Sequence, residues 1–224
     1  WAEQNSRDSL FAAMRRRESY ATSGTRPLLR FFGGWDYPAN LCDSPDLVKT
    51  GYARGVPMGS DLPAKPAAAT SPAFVAWARQ DAGTAEHPGT PLQRIQIVKG
   101  WVDALGQTHE QIYDIAPAAP STSRAVDPNT CKAEQRGAPE LCTVWHDPDF
   151  DPARPAVYYA RVLEDPGCRW HVEQCRALGV DPFAANCDTS SNNPNNHCCA
   201  AVFDPVTQER AWACLLYTSD AADE

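Results

Sequence analysis

Apolar positions recur with different periods along the chain, and the changes divide it into elements. Over residues 6–18, Leu10, Phe11 and Met14 share one face, which predicts a helix. Asn5 or Ser6 can cap it, Asp8 and Glu18 bracket it, and Arg15, Arg16 and Arg17 suit its C-terminal dipole. Tyr20 to Gly24 reads as a turn and Pro27 to Trp35 as a strand, with Gly33-Gly34 marking a bulge or a close backbone approach. Residues 36–72 carry Gly, Pro, Asp and Ala without periodicity and read mainly as loop. From Ala73 the pattern turns to β. Phe74, Val75 and Trp77 begin one strand. "LQRIQIVKGWVD" alternates, with Ile95 and Ile97 on one face and Gln96 on the other. "ALGQ" predicts a hairpin turn and "THEQIYDIA" the returning strand. "CTVWHD" and "AVYYARVLED", separated by "PDFDPARP", also suit sheet pairing. Cys168 to Asn196 is loop-rich, with a short helix at "RWHVEQCRAL". The sum is a mainly β fold, an antiparallel sandwich-like sheet with long loops and one N-terminal helix.

Composition narrows the function classes. The chain has 224 residues, 43% hydrophobic, enough to build a core. A net charge of -8 argues against a nucleic-acid binder, which needs a basic face. No run of about 18 apolar residues occurs, so no membrane span is expected. The opening "WAEQNSRDSL" has neither an initiator Met nor an apolar leader, which suggests a processed protein or an internal fragment. At the other end "CLLYTSDAADE", residues 214–224, looks like a translated sequencing adaptor; the natural chain is then expected to be cut off near Ala213. Setting Cys214 aside leaves Cys42, Cys131, Cys142, Cys168, Cys175, Cys187, Cys198 and Cys199. An even count in loop-like surroundings favours disulfides and a periplasmic or secreted location. Their connectivity stays open, but adjacent Cys198 and Cys199 should reach different partners.

Three constellations invite chemistry. His197 beside Cys198 and Cys199, with Cys175 and Cys187 upstream, suits zinc by residue type. The absence of a C-x-x-C pair favours a disulfide cluster, and no metal ligand is assigned. His87, His109, His146, His171 and His197 are scattered without a metal-binding spacing. "WHDPDFD" places Asp147, Asp149 and Asp151 alternately, but Pro148 and Pro152 break a calcium loop, so a solvated acidic turn is expected. "YATSGTR" is the third. Ser23 lies in no G-x-S-x-G elbow and has no histidine nearby in sequence, so no catalytic residue is assigned. As a corner, Gly24 supplies a positive φ, Thr22 and Ser23 satisfy freed backbone groups, and Arg26 pairs with an acid. As a site, Arg26 and the amides of Ser23 to Thr25 suit a carboxylate or phosphate.

The segments "WAEQNSRDSLFAAMRRRESYATSGTRPLLRFFGGWD", "GYARGVPMGSDLP", "PLQRIQIVKGWVDALGQTHEQIYDIA", "CTVWHDPDFDPARPAVYYARVLEDPGCRW" and "QERAW" resemble the C-terminal half of domain of unknown function 3604. The likeness covers nearly all of residues 1 to 213. It implies kinship with PHP-type metal-dependent hydrolases, whose distorted α/β barrel uses a His/Asp metal cluster to activate water. The family's His-x-His and Ser-Asp-Thr-His-like metal motifs would precede Trp1, and neither occurs here. The resemblance therefore implies a parent that hydrolyses an ester or phosphoester with zinc, manganese or iron. This chain would carry no cofactor of its own, lack its N-terminal barrel domain, and be inactive and poorly soluble. Residues 1–35 would be the last helix and strand of the barrel, and 36–213 a β-rich C-terminal region. The turn with Tyr20, Thr22, Ser23, Gly24, Thr25 and Arg26 would lie near the barrel mouth and bind a small anionic substrate, with "GVPMGSDLP" beside it. The alternative is a non-catalytic, disulfide-stapled β-sandwich that binds a ligand or serves a structural role.

Overall fold

A computed structural model of the chain describes residues 1–85, 88–117, 137–199 and 205–218. Its architecture is mainly β, as the alternation predicts. The first sheet contains β1 (Tyr20–Thr22), β5 (Leu92–Val102), β6 (Thr108–Pro117), β8 (Ala156–Glu164), β11 (Arg210–Ala213) and β12 (Leu216–Tyr217). Its order is β1-β11-β8-β5-β6, with β12 also pairing β8. The second sheet contains β2 (Leu28–Gly34), β3 (Gly55–Pro57), β4 (Ala73–Arg79) and β7 (Glu140–His146), in the order β3-β2-β4-β7. Every pairing of these named strands is antiparallel. A short ladder joins β9 (Gly167–Cys168) to β10 (Val206–Thr207).

The sheets bury a common core. Leu29, Phe31, Phe74 and Ala76 of the second sheet meet Ile95, Ile97, Tyr158 and Val162 of the first. Phe74 is the hinge of this packing: its ring lies 5.6 Å from Phe31 and 4.5 Å from Tyr158. The alternate residues of the second sheet are buried too. Phe32, Ala73 and Val75 pack under Tyr37, Leu41 and Leu47. That outer layer comprises a 3-10 turn (Leu41–Asp43) and α2 (Leu47–Arg54), and the Cys42–Cys142 disulfide ties it to β7.

Several expectations change here. The first helix, α1 (Arg7–Arg15), starts where expected, with the Ser6 hydroxyl accepting from Ser9 N at 3.3 Å. It ends earlier than residue 18, because Arg17 adopts φ 57. Leu10, Phe11 and Met14 are 46%, 57% and 63% exposed, and Ala13 is the buried residue of the helix. Residues 20–22 form an edge strand instead of a turn, because β11 supplies a ladder far along the chain. α2 replaces part of the expected loop. It buries only Leu47 and Gly51, too few positions to show a helical period. A Cβ on Gly51 would lie 2.8 Å from the Phe32 ring, so glycine lets this helix sit flat on the sheet. β7 and β8 pair not with each other but with β4 and β5, in different sheets.

The hairpin and the second helix match expectation. Asp103 N donates to Gln107 O at 2.9 Å, and Gly106 takes φ 77 between β5 and β6. α3 (Trp170–Ala177) occupies "RWHVEQCRAL". Cys198 and Cys199 part as expected, to Cys175 and Cys187 respectively. Cys168 is also disulfide-bonded. Cys131 and His87 lie outside the described residues. At the far end, Leu216 is buried and Thr218 N donates to Ala156 O at 3.1 Å, while Cys214 carries a free thiol.

The "WHDPDFD" segment departs at Asp147 from the solvated turn expected from its charge, while Pro148 and Asp149 stay exposed. Asp147 is 2% exposed and forms a 2.6 Å ion pair with Lys99 of β5. It also accepts from the Tyr158 hydroxyl at 2.7 Å and from Asp149 N at 2.9 Å. Its partner cation comes from the other sheet, which the local sequence does not reveal.

Candidate functional site

The residues 20–26 connect the two sheets. β1 adds to β11 with Tyr20 opposite Ala213, Ala21 opposite Trp212 and Thr22 opposite Ala211. The chain then turns and enters β2. Three donors of this turn meet three carboxylates. The Ser23 hydroxyl donates to Glu209 and also accepts from Arg210 N at 2.9 Å. The Thr25 hydroxyl donates to Glu164 Oε1 at 2.6 Å. Arg26 N donates to Asp81 Oδ2 at 2.8 Å.

Gly24 has its own reason. Its φ is not among the positive ones, contrary to expectation. A Cβ there would lie 2.8 Å from Glu209 Cδ, so glycine makes room for that carboxylate. Arg26 does pair with an acid, its Nε 4.0 Å from Asp81, but its side chain is 88% exposed. At that exposure the pair contributes little to stability. Tyr20 is half-buried against Trp1, with ring centroids 5.8 Å apart, and burial raises its hydroxyl pKa.

Glu164 is the unusual group. It ends β8, is 1% exposed, and its Oε2 has no hydrogen-bond partner. Burial pushes its carboxyl up to about 7. The Thr25 hydrogen bond opposes this, while the charges of Glu209, Asp81 and Asp165 add to it. Its backbone is fixed by Glu164 N donating to Glu209 O at 3.0 Å and by Gln208 Nε2 donating to Glu164 O at 2.9 Å.

A raised carboxyl pKa sets the sign of a pH effect. Below about 4.5 Glu164 is protonated in both the folded and unfolded chain, and no penalty applies. Between there and about 7 the unfolded chain releases the proton and the folded chain keeps it, so stability falls as pH rises. The loss amounts to about 3 kcal/mol by linkage. Glu164→Gln keeps an acceptor for Thr25 and removes the titration. The variant should match the wild type at pH 4 and exceed its unfolding free energy at pH 8; parallel stability curves would refute the assignment.

Beside the turn opens a cleft of about 490 Å³, lined by Ser23, Glu209, Arg210, Trp212, Arg169 and Trp170. Of these six, the sequence pattern points to Ser23 alone. Glu209, Arg210 and Trp212 lie in "QERAW", whose ladder to β1 gives no local signal. The "GVPMGSDLP" segment sits against the end of α1: a Cβ on Gly59 (φ 90) would lie 2.3 Å from Arg17 O. There a second cleft, of about 520 Å³, surrounds the buried Glu18. Glu18 accepts from Tyr52 and pairs with Arg16 at 3.3 Å and Arg30 at 3.7 Å.

Among the described residues, the grouping close enough to hold a metal is Cys175, His197 and Cys198. Its two sulfurs are joined in a disulfide. No reaction step through a metal is derived for this chain.

Fold and site together define a disulfide-stapled, antiparallel β module with a carboxylate-clasped turn at its seam. The family model for proteins of unknown function designated DUF3604 matches residues 1–216, and the chain belongs to that family. No curated protein and no solved structure matches it.

Proposed function

We propose that this chain is the non-catalytic β module of an exported DUF3604 protein. Its ester- or phosphoester-hydrolysing, metal-dependent barrel would be carried by sequence before Trp1. The observation that supports this reading most is the bare apolar face of α1. Leu10, Phe11 and Met14 stand exposed on α1, whose buried residue is Ala13. An exposed apolar patch of this kind marks a contact surface. Disulfides at Cys42–Cys142, Cys175–Cys198 and Cys187–Cys199 fit the periplasm or the cell exterior.

In this reading the Tyr20–Arg26 segment, β1 and the turn after it, lines the barrel mouth. Arg26 extends into solvent and meets an anionic substrate group. Ser23 and Thr25 act through the turn, since their hydroxyls are held by Glu209 and Glu164. A free-standing binding module is the second reading, favoured by the 490 Å³ cleft with Trp170 and Trp212. Mixing the chain with the polypeptide encoded before Trp1 separates the two. The barrel reading expects association that Phe11→Asp weakens at least about tenfold, as at a buried interface anchor. No association, or association indifferent to Phe11→Asp, would leave the binding-module reading.

A further inference from the structure

Cys175 of α3 and Cys198 of the 3-10 turn Asn196–Cys198 close the loop that follows α3. Both are buried, at 3% and 5% exposure. His197 Nε2 lies 3.5 Å from Cys198 Sγ. The two sulfurs and one His197 ring nitrogen all fall within 4.8 Å of one another. The group borders a cleft of about 420 Å³ that Trp170, His171 and Gln174 also line.

We propose that opening the Cys175–Cys198 disulfide converts these three side chains into a zinc site, so that zinc replaces the disulfide as the staple of this loop. A dithiol supplies the two electrons and two protons and becomes a disulfide itself. The two thiols formed on the chain then release two protons as zinc binds their thiolates. Neutral His197 adds a ring lone pair, and the fourth position takes water from the cleft.

The geometry needs little change. Tetrahedral zinc with Zn–S near 2.3 Å sets its sulfurs about 3.8 Å apart. The Cα atoms of Cys175 and Cys198 are 5.6 Å apart, within reach of that spacing by side-chain rotation. Two thiolates and an imidazole select zinc over the hard cations that prefer oxygen ligands. Cys187 and Cys199, which pair with each other in the oxidised chain, lie outside the grouping of Cys175, His197 and Cys198, so the site does not draw on them.

The test uses the whole chain, reduced with excess dithiothreitol, desalted without air and titrated with zinc chloride or cobalt(II). Reduced protein should retain one zinc per chain and give the intense visible absorption of tetrahedral cobalt thiolate, while oxidised protein takes up none. Cys175→Ala/Cys198→Ala should lose that zinc, and Cys187→Ala/Cys199→Ala should keep it. His197→Ala should weaken binding at least about tenfold, as expected when the coordination sphere is disturbed. No uptake by the reduced chain, equal uptake by Cys175→Ala/Cys198→Ala, loss of uptake in Cys187→Ala/Cys199→Ala, or unchanged affinity in His197→Ala would each overturn the proposal.

Discussion

Lys99→Met should destabilise the chain by about 3–5 kcal/mol, the cost of leaving one charge of a buried pair without its partner. Lys99 is 2% exposed and its ammonium reaches Asp147 at 2.6 Å and the Asp149 carbonyl at 2.8 Å. The substitution fits the volume but strands the Asp147 carboxylate. Tyr158, whose hydroxyl pKa burial drives sharply upward, still donates to Asp147, but a neutral hydroxyl does not replace a cation. The pair joins β5 of one sheet to the segment after β7 of the other, so its loss loosens the seam between the layers. Removing both charges, as Lys99→Met/Asp147→Leu, should recover part of the loss, because no unpaired ion then remains. Urea unfolding of both variants measures this. A loss below about 1 kcal/mol for the single variant would place the pair among ordinary surface contacts.

Cys42→Ala/Cys142→Ala is the second large effect. This disulfide spans 100 residues of sequence, against 12 for Cys187–Cys199. Loop-closure entropy predicts about 4.7 kcal/mol for the longer loop and about 3 kcal/mol for the shorter. The long staple also holds the 3-10 turn and α2 over Phe32, Ala73 and Val75, so its removal frees the outer apolar layer to open. Unfolding midpoints of the two double alanine variants should therefore fall in that order. A smaller loss for Cys42→Ala/Cys142→Ala would show that the outer layer is held by packing instead.

What the sequence revealed follows from where the signal is local. The β5–β6 hairpin was legible because alternation and a glycine turn lie within one stretch. Ser6 could be read as a cap, and the adjacency of Cys198 and Cys199 forced them apart. β1 was not legible, since Tyr20–Thr22 becomes a strand only through β11. Asp147 looked solvated because Lys99 lies 48 residues away. The turn's residues stand out in the sequence, but for another reason. Gly24 makes room for Glu209, not a left-handed bend, and the hydroxyls of Ser23 and Thr25 face carboxylates from β8 and its neighbour. Glu164 carries no sequence signal at all: its raised pKa comes from burial and from acids on other segments.

The most direct test is turnover. The chain alone, and the chain joined to the sequence encoded before Trp1, should be assayed on ester and phosphoester substrates with zinc, manganese or iron added. The account predicts hydrolysis by the joined protein, lost on chelation, and none by the chain alone. Metal-dependent turnover by residues 1–224 alone, or none by the joined protein, would contradict it.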